Sequence, residues 1–438
     1  MNKFARVRRL VVVCFISTTG CGAQLMPAPN LIVMEGRAAW DGVAPELQKT
    51  TVDVLYATDR MPDSADGEPV RYGSKRFNRL AYGLATVEFG AKDWDDLLTQ
   101  STTVHRWRSP FVRLTETREL DRFPATPWPT EKVGDKATWK PEAIAEHDAA
   151  AKRLQTLVAD RLALTECKEA FVYVHGAANA FDECVGDSAQ IWHFIGRRGV
   201  PITYSWPTQP SVAVRDYNYD RESGEFTVFH LKQFVTALAG TPGLKKIHFI
   251  AHSRGTDVLM SAMRELNIQY CAENPGVRHA TAKVLRIGHI VLFAADIDFG
   301  IAQQRLEAEA ITEACEHLTV YSSPGDKAIL IAKWLFASTV RLGTLGLYKL
   351  NRRDRRQLAG IHNLTLIDAK VSSGFLGHSY FYSSPAVSSD LILLLRDDLE
   401  AGTDGGRPLI RVNDAFWEIR DGYPDPTKVK TETTRPAE

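Results

Sequence analysis

The stretch KIHFIAHSRGTDVL, residues 246–259, determines how the rest of the chain is interpreted. Its apolar run KIHFI predicts a buried β-strand, and the residues from Arg254 onward predict a helix. Ser253 lies at the junction, between Ala251 and Gly255. A tight strand-to-helix turn needs small residues at both flanking positions because their side chains would crowd each other. Ser253 is therefore a candidate nucleophile, and the alternative is a serine that only caps a helix.

Short apolar strands and helices alternate along most of the chain. Two β-branched strands, 51–60 and 80–90, come first, and a regular strand-helix alternation follows from residue 141. This pattern predicts an α/β fold with a mostly parallel central sheet of about eight strands and helices on both faces. The predicted strands of the regular part are EAFVYVHG (169–176), VPITYSWP (200–207), KKIHFIAHS (245–253), GHIVLFAAD (288–296), HLTVYSSPGD (317–326) and NLTLIDAK (363–370). In such sheets, ligands bind beyond the carboxyl ends of the strands.

A serine hydroxyl needs a positioned base before it can act as a nucleophile. Of the histidines after Ser253, only His378 follows the carboxyl end of a predicted strand; the others, which precede or open strands, are His279, His289, His317 and His362. The carboxylate that would orient His378 is predicted to be Asp326, which follows the penultimate strand, with Asp296 as the next candidate. The order Ser253, Asp326, His378 is the chain order of α/β-hydrolases.

The segment YVHGAANAF, 173–181, follows a predicted strand and supplies the other part of the site. The backbone N–H groups of Ala177 and Arg254 are the predicted oxyanion-hole donors, and His175 is predicted to be structural. A later segment, 203–223, could wall a substrate pocket with Trp206 and two tyrosines, Tyr217 and Tyr219, or those rings could only pack the loop. Asp220 and Arg221 in the same segment predict a local ion pair.

The N-terminus has the features of a secretion signal. MNKFARVRR is basic and LVVVCFIS is apolar but far shorter than the about 20 residues that span a bilayer. Residues 1–20 are therefore predicted to be a signal peptide. The following Cys21 resembles the acylated cysteine of bacterial lipoproteins, although Thr18 departs from that pattern. We expect a cell-envelope protein, a lipoprotein in the outer membrane that faces the periplasm; the alternative is a soluble periplasmic or secreted protein.

The composition favours a globular protein without a strongly charged partner. Lysine and arginine total 53, aspartate and glutamate also total 53, and this balance argues against nucleic acid as a partner. We find no CxxC or HExxH spacing and no glycine-rich phosphate loop, so the sequence predicts no metal and no cofactor.

Outside the cytoplasm disulfides are permitted. Cys271 and Cys315 are the preferred pair, buried free thiols are the alternative, and Cys184 is expected to stay free.

The chain is predicted to divide into four parts. These are a signal peptide (1–20), a tether and lead-in (21–50), one α/β domain (51–400) and a C-terminal extension (401–438). Within the domain, residues 91–140 combine several Trp and Pro residues with little periodicity, and this segment is predicted to be an irregular excursion.

Nine segments between residues 51 and 400 resemble the DUF900 family of α/β-hydrolase-like proteins. They are VLYATDR, LAYGLATVEFG, FVYVHGAANAF, ITYSWP, YDRESGEF, IAHSRGT, LFAADID, VYSSPGDKAI and LGHSYF. The resemblance implies an α/β-hydrolase fold and a serine hydrolase triad of Ser253, Asp326 and His378. Members of the family often have HGFNNSF and HSMGN where this chain has HGAANAF and HSRGT.

These observations predict a serine hydrolase that acts on carboxylic esters. The expected partners are a small-molecule or lipid-like ester substrate and, through the N-terminal anchor, a membrane. An acyltransferase or amidase would use the same side chains, and a non-catalytic lipoprotein that retained the fold is an alternative of a different class.

Overall fold

The computed structural model describes residues 23–64, 69–211, 213–323, 325–326, 341–344, 351–372, 377–413, 415–425 and 427. The predicted signal peptide and Cys21 lie outside the described residues.

The described residues form one large sheet and two small ones. The strands are β1 (Ala23–Gln24), β2 (Thr51–Pro62), β3 (Tyr72–Phe89), β4 (Phe111–Arg122), β5 (Thr130–Val133), β6 (Lys136–Trp139), β7 (Glu169–Val174), β8 (Val200–Ser205), β9 (Lys246–His252), β10 (Ile287–Phe293), β11 (His317–Ser322), β12 (Leu364–Lys370), β13 (Glu400–Ala401), β14 (Gly406–Arg407), β15 (Ile410–Arg411) and β16 (Phe416–Arg420). The large sheet has twelve strands in the order β1-β4-β3-β2-β8-β7-β9-β10-β11-β12-β16-β15.

The central strands of the large sheet are parallel. The run from β2 to β16 contains eight strands, and each pairs with its neighbour in parallel. Antiparallel strands extend both ends of this run, with β3, β4 and β1 on one side and β15 on the other. The predicted α/β fold with a mostly parallel sheet is confirmed.

Helices cover both faces of the sheet. They are α1 (Asn30–Glu35), α2 (Trp94–Thr102), α3 (Pro141–Ala163), α4 (Phe181–Phe194), α5 (Val214–Ala239), α6 (Gly255–Glu273), α7 (Ala280–Leu285), α8 (Phe299–Gln303), α9 (Arg352–Ala359), α10 (Tyr380–Ser383) and α11 (Pro385–Leu395). Alternate residues of β7 point to opposite faces: Val172 belongs to the core beneath α3, α5 and α6, whereas Tyr173 belongs to the core beneath α4 and α11.

The segment 91–140 is more regular than the sequence indicates. It contains α2, the twelve-residue strand β4 and the β5–β6 hairpin. The pairing of β4 with β3 shifts register between Tyr82 and Gly83 and again between Thr86 and Val87. Each shift breaks the alternation of inward and outward side chains, so β4 lacks the period of two by which a strand is predicted.

The two predicted flanking segments also join the fold. In the lead-in, the Leu31 N–H donates to Ser389 Oγ at 2.9 Å, and Trp40 Nε1 donates to the His193 carbonyl at 2.9 Å. At the other end, β16 pairs with β12 in the large sheet. Residues 23–50 are therefore packed against the domain rather than a free tether, and the C-terminal extension supplies two strands of the sheet.

The preferred disulfide between Cys271 and Cys315 is wrong. Both are free thiols, as are Cys167 and Cys184. Each thiol of the expected pair has a contact within its own segment: Cys271 Sγ with Asn267 and Cys315 Sγ with the Thr312 carbonyl.

No helix among the described residues is long and apolar enough to cross a bilayer.

The turn that follows β9 packs directly against the end of β7. A Cβ placed on Gly255 would lie 2.1 Å from the His175 carbonyl oxygen and 2.7 Å from that of Val174. Only glycine fits there, because a Cβ does not approach a backbone oxygen this closely and neither strand can move away.

We expect Gly255→Ala to lower the free energy of unfolding by about 1–3 kcal/mol or more, because the added methyl forces two paired strands apart. Gly186→Ala is the matched control. Gly186 is buried inside α4, and its added Cβ would have only Val112 Cγ1 within 4 Å, at 3.9 Å. The control should therefore be neutral or gain up to about 1 kcal/mol in helix propensity. Urea unfolding of both variants measures the difference, and equal stability would contradict the proposed crowding.

Candidate active site

Ser253 occupies a strained backbone conformation directly after β9. Its φ is +52°, a left-handed value that side chains other than glycine rarely adopt. Backbone hydrogen bonds hold it there: its N–H donates to the Phe293 carbonyl at 2.9 Å, and its carbonyl accepts from the Thr256 N–H at 3.1 Å and the Asp296 N–H at 3.3 Å. A strained residue fixed by its surroundings is typical of a functional position.

The structure brings Ser253, His378 and Asp326 together in one hydrogen-bonded chain. Ser253 Oγ lies 2.9 Å from His378 Nε2, and His378 Nδ1 lies 2.8 Å from Asp326 Oδ2. A carboxylate only accepts, so Nδ1 donates to Asp326 and leaves Nε2 to accept from the serine hydroxyl. Asp326 is fully buried, whereas the His378 side chain is 22% exposed. This arrangement can move a proton from a serine to an imidazole.

Asp296, the alternative acid, has other contacts. Its carboxylate accepts a hydrogen bond from the Tyr217 hydroxyl and lies 3.4 Å from Arg341 Nη1. Both acidic residues follow the carboxyl end of a strand, and the sequence analysis favours Asp326. The tertiary structure places the carboxylate of Asp326 against His378.

A second histidine fixes the backbone of the first. His252 Nε2 donates to the carbonyl oxygen of His378 at 3.2 Å. The His252 ring is buried and lies between His378 and Phe381, with ring centroids 4.8 Å and 4.7 Å away. Burial holds the pKa of His252 well below its usual value, so the ring stays neutral. The sequence analysis assigned no role to His252, although it immediately precedes the candidate nucleophile.

The predicted oxyanion loop passes over Ser253. A Cβ on Gly176 would lie 2.9 Å from Ser253 Cβ, so the backbone at this glycine and the serine are in contact. Ala177 follows in the loop and is half-buried. Arg254 has helical angles, φ −63° and ψ −27°, at the start of α6. The first N–H groups of a helix have no acceptor within the helix, and the Arg254 amide is one of them. Both predicted donors therefore lie on backbone that borders Ser253.

Two buried charged side chains, Arg60 and Asp220, hold this loop. Asp220 Oδ2 accepts from the Ala178 N–H at 3.0 Å, and its Oδ1 accepts from the Gln209 N–H at 2.8 Å. Arg60 Nη2 donates to the Asn179 carbonyl at 2.8 Å. The expected ion pair of Asp220 with Arg221 is replaced by these two amide contacts. Burial raises the pKa of Asp220 to about 6.

His175 is structural, as the sequence predicts. Its Nδ1 donates to the Gly176 carbonyl at 2.7 Å, and its Nε2 accepts from the Trp206 N–H at 3.1 Å. Burial and the nearby Arg60 hold the pKa of His175 well below its usual value. The ring is therefore neutral and buried, and it connects the turn after β7 to the turn after β8.

The aromatic residues after β8 make packing contacts with the neighbouring loops. Trp206 is fully buried and stacks on His175 with ring centroids 5.4 Å apart. Tyr217 donates to Asp296, and the Tyr219 hydroxyl donates to the Ser74 carbonyl at 3.1 Å. Of the two alternatives left open by the sequence, the packing role is the one that the contacts support.

Two of the other candidate histidines, His289 and His317, lie away from Ser253. His289 pairs with Asp398 at 2.7 Å, and His317 contacts Thr365 at 2.8 Å. His289 and His317 are adjacent partners near the starts of β10 and β11. They therefore lie at the edge of the sheet opposite the carboxyl ends, as predicted.

Comparison with known proteins agrees with this architecture. Residues 150–396 match the family model described as alpha/beta hydrolase of unknown function, DUF900. The chain belongs to this family. No curated protein matches the chain. The family assignment shows the α/β-hydrolase fold, and the match includes Ser253, Asp326 and His378.

The sequence analysis missed the role of Arg60 and gave Asp220 a different role, an ion pair with Arg221. Arg60 and Asp220 stand in the segments VLYATDR and YDRESGEF, which carry part of the resemblance to the family. Arg60 ends a run of strand residues, and such a charge usually indicates that a strand has reached solvent. Arg60 is instead buried almost completely. The burial of a charged side chain whose hydrogen-bond partners lie far away in the sequence can be seen only in the tertiary structure.

The pKa of Asp220 predicts a pH-dependent stability. An unfolded aspartate loses its proton near pH 3.8, whereas the buried carboxyl keeps its proton to about pH 6. Between these values the folded state binds more protons than the unfolded state, so stability falls as the pH rises through this window. The asparagine of Asp220→Asn cannot ionise. The free energy of unfolding of this variant, taken relative to that of the wild type, should therefore rise by about 3 kcal/mol when the pH is raised from about 4 to about 8.

Urea unfolding at both pH values measures this change. Glu222→Gln is the control, because Glu222 is exposed and contacts only Arg76 among the described ion pairs. A difference between wild type and Asp220→Asn that is the same at both pH values would refute the proposed titration.

Proposed function

We propose that the protein is a serine hydrolase that cleaves carboxylic esters. Ser253 is the nucleophile, His378 the general base and Asp326 the carboxylate that orients His378. The observation that carries the proposal is the unbroken sequence of contacts, Ser253 to His378 at 2.9 Å and His378 to Asp326 at 2.8 Å, above the carboxyl end of β9. A serine hydroxyl with an oriented imidazole is the minimal arrangement for acyl transfer.

The proposed reaction begins when His378 Nε2 takes the proton of the Ser253 hydroxyl as Oγ attacks the ester carbonyl carbon. The carbonyl oxygen becomes an oxyanion, which the amides of Ala177 and Arg254 stabilise. The bond to the leaving oxygen then breaks, and His378 gives its proton to the departing alcohol. Water, deprotonated by His378, attacks the acyl-serine next; the carboxylic acid leaves and Ser253 regains its proton.

Preorganisation is the main support for the oxyanion donors. Arg60 and Asp220 fix the loop that carries Ala177, and the helix α6 fixes Arg254. In comparable sites the loss of one such donor costs about 2.7–4 kcal/mol of transition-state stabilisation. Donors held by buried contacts do not have to reorganise when charge develops, and this is why such contacts favour catalysis.

A fluorophosphonate probe tests the nucleophile directly, because it reacts only with an activated serine. We expect the chain from Gly22 onward to be labelled, Ser253→Ala not to be labelled, and His378→Ala to be labelled slower by a factor on the order of 10⁴. Ser261→Ala is the matched control, since Ser261 lies two turns further along α6 and its side chain contacts Arg305. It should be labelled like the wild type.

Equal labelling of wild type and Ser253→Ala would overturn the nucleophile, and an unlabelled wild type would favour a non-catalytic protein with a hydrolase fold. Paired nitrophenyl esters and nitroanilides of the same acyl chain separate the proposed esterase from an amidase. Acyl transfer to an added alcohol, measured in the same assay, separates it from an acyltransferase.

We propose in addition that the protein is anchored in the cell envelope by acylation of Cys21. The support is the sequence of the N-terminus: a basic start, a short apolar run and small residues directly before the cysteine. Two acyl chains give a stable attachment to a bilayer, which one chain does not provide.

We expect cells that express the full chain to incorporate radiolabelled palmitate into it, and Cys21→Ser to abolish that incorporation. Cys14→Ser is the control, because Cys14 lies inside the apolar run. Unchanged palmitate incorporation in Cys21→Ser would reject this anchor.

A further inference from the structure

The loop between α2 and β4, residues 103–110, exposes an unusually large apolar side chain. Trp107 is 103% exposed, and Val104 in the same loop is 58% exposed. Tryptophan is normally buried for most of its surface, so a fully exposed tryptophan side chain needs an explanation. Phe111, at the start of β4, is 37% exposed and adds to the same surface.

The loop is fixed from beneath, so the exposure of Trp107 is built into the fold. Arg106 Nε donates to the Gln100 carbonyl at 2.6 Å, and its Nη1 donates to the carbonyls of Leu25 and Met26 at 2.9 Å. The Leu25 N–H donates in turn to the Pro110 carbonyl at 2.8 Å. These contacts hold the ring of Trp107 outward.

The charge of the loop is positive. The sequence TVHRWRSPF, 103–111, contains two arginines and a histidine and no acidic residue. Arg108 is exposed beside Trp107. Just beyond the loop, Arg113 lies over the ring of Phe111 at 4.7 Å and pairs with Glu88 at 2.8 Å. An exposed tryptophan next to an exposed arginine suits the boundary between anionic headgroups and acyl chains.

The path of the chain identifies the occupant of this surface. Strand β1 pairs with the start of β4, with Ala23 opposite Val112 and Gln24 opposite Phe111. Ala23 is two residues after Cys21, and two residues reach at most about 7 Å. An acyl anchor on Cys21 would therefore bring the bilayer surface to the edge of the sheet that carries Trp107.

We propose that the loop 103–111 docks on a bilayer of anionic phospholipid, with the Trp107 ring in the interface and Arg108 at the headgroups. The proposal uses the anchor at Cys21 only to choose the occupant, and it does not depend on hydrolase activity. The docked loop and the acyl chains would hold the protein at two adjacent points and thereby set its orientation on the membrane.

Docking at this loop leaves the catalytic residues uncovered. Five strand spacings separate β4 from β9 in the sheet, a distance of about 24 Å. Substitutions in the loop therefore should not change the geometry at Ser253, and the surface can be tested separately from the reaction.

The test is co-sedimentation of the chain from Gly22 onward, which has no acyl anchor, with vesicles of phosphatidylglycerol and phosphatidylethanolamine or of phosphatidylcholine alone. We expect binding to the anionic vesicles, weakened at least about tenfold by Trp107→Ser and by Arg108→Glu. Trp139→Ser is the matched control, because Trp139 is 54% exposed on the β5–β6 hairpin. It should bind like the wild type.

Thermal unfolding of each variant is compared with that of the wild type, to distinguish a loss of vesicle binding from a loss of folding. Absence of wild-type binding to anionic vesicles would overturn the proposal and leave the loop as a surface for a protein partner. Equal weakening by Trp107→Ser and Trp139→Ser would overturn the assignment to this loop, and equal binding to phosphatidylcholine would overturn the role of charge. Fluorophosphonate labelling of Trp107→Ser at the wild-type rate separates a failure of docking from a failure of the proposed activity.

Discussion

Close backbone contact between the turn after β9 and the turn after β7 is the constraint on which the rest of the candidate site depends. Gly255 and Gly176 allow this contact, since an added Cβ on either would lie within 3 Å of the facing turn. Because β7 and β9 are adjacent parallel strands, both turns end at the same edge of the sheet. The contact therefore places the Ser253 side chain next to the backbone of the facing loop and next to the start of α6. The geometry of the candidate site follows from how closely these two turns of the main chain approach each other.

Buried polar groups then hold the loops in place around this contact. Asp220 binds the turn after β7 to the segment after β8, Arg60 binds the same turn from β2, and His252 binds the backbone of His378. Burying a charge is unfavourable unless hydrogen bonds compensate it, so these residues reduce stability unless every contact forms together. The result is a site whose serine and imidazole are supported by neighbours from two strands, β2 and β9, and from the helix α5. Such support is expected where reacting groups have to be oriented before a substrate arrives.

The success of sequence analysis differs between the centre and the edges of the sheet. The central strands could be predicted because they are buried on both faces and are therefore short continuous apolar runs. The edge strand β4 could not, since register shifts against β3 remove its alternation, and the residues of 23–50 contact partners more than a hundred positions away. The preferred disulfide failed for a related reason, because two cysteines near the same edge of a sheet need not face each other.

By itself the sequence determined the α/β fold, the turn at Ser253 and the small set of histidines and acidic residues that could reach it. It could do so because strand direction assigns each loop to one edge of a parallel sheet. For the acid, the sequence favoured Asp326 over Asp296, and the tertiary structure placed the Asp326 carboxylate against His378 and the Asp296 carboxylate near Arg341. It also decided the buried partners of the oxyanion loop and the outward position of Trp107. Those features depend on contacts between segments far apart in the chain, which local pattern and propensity do not encode.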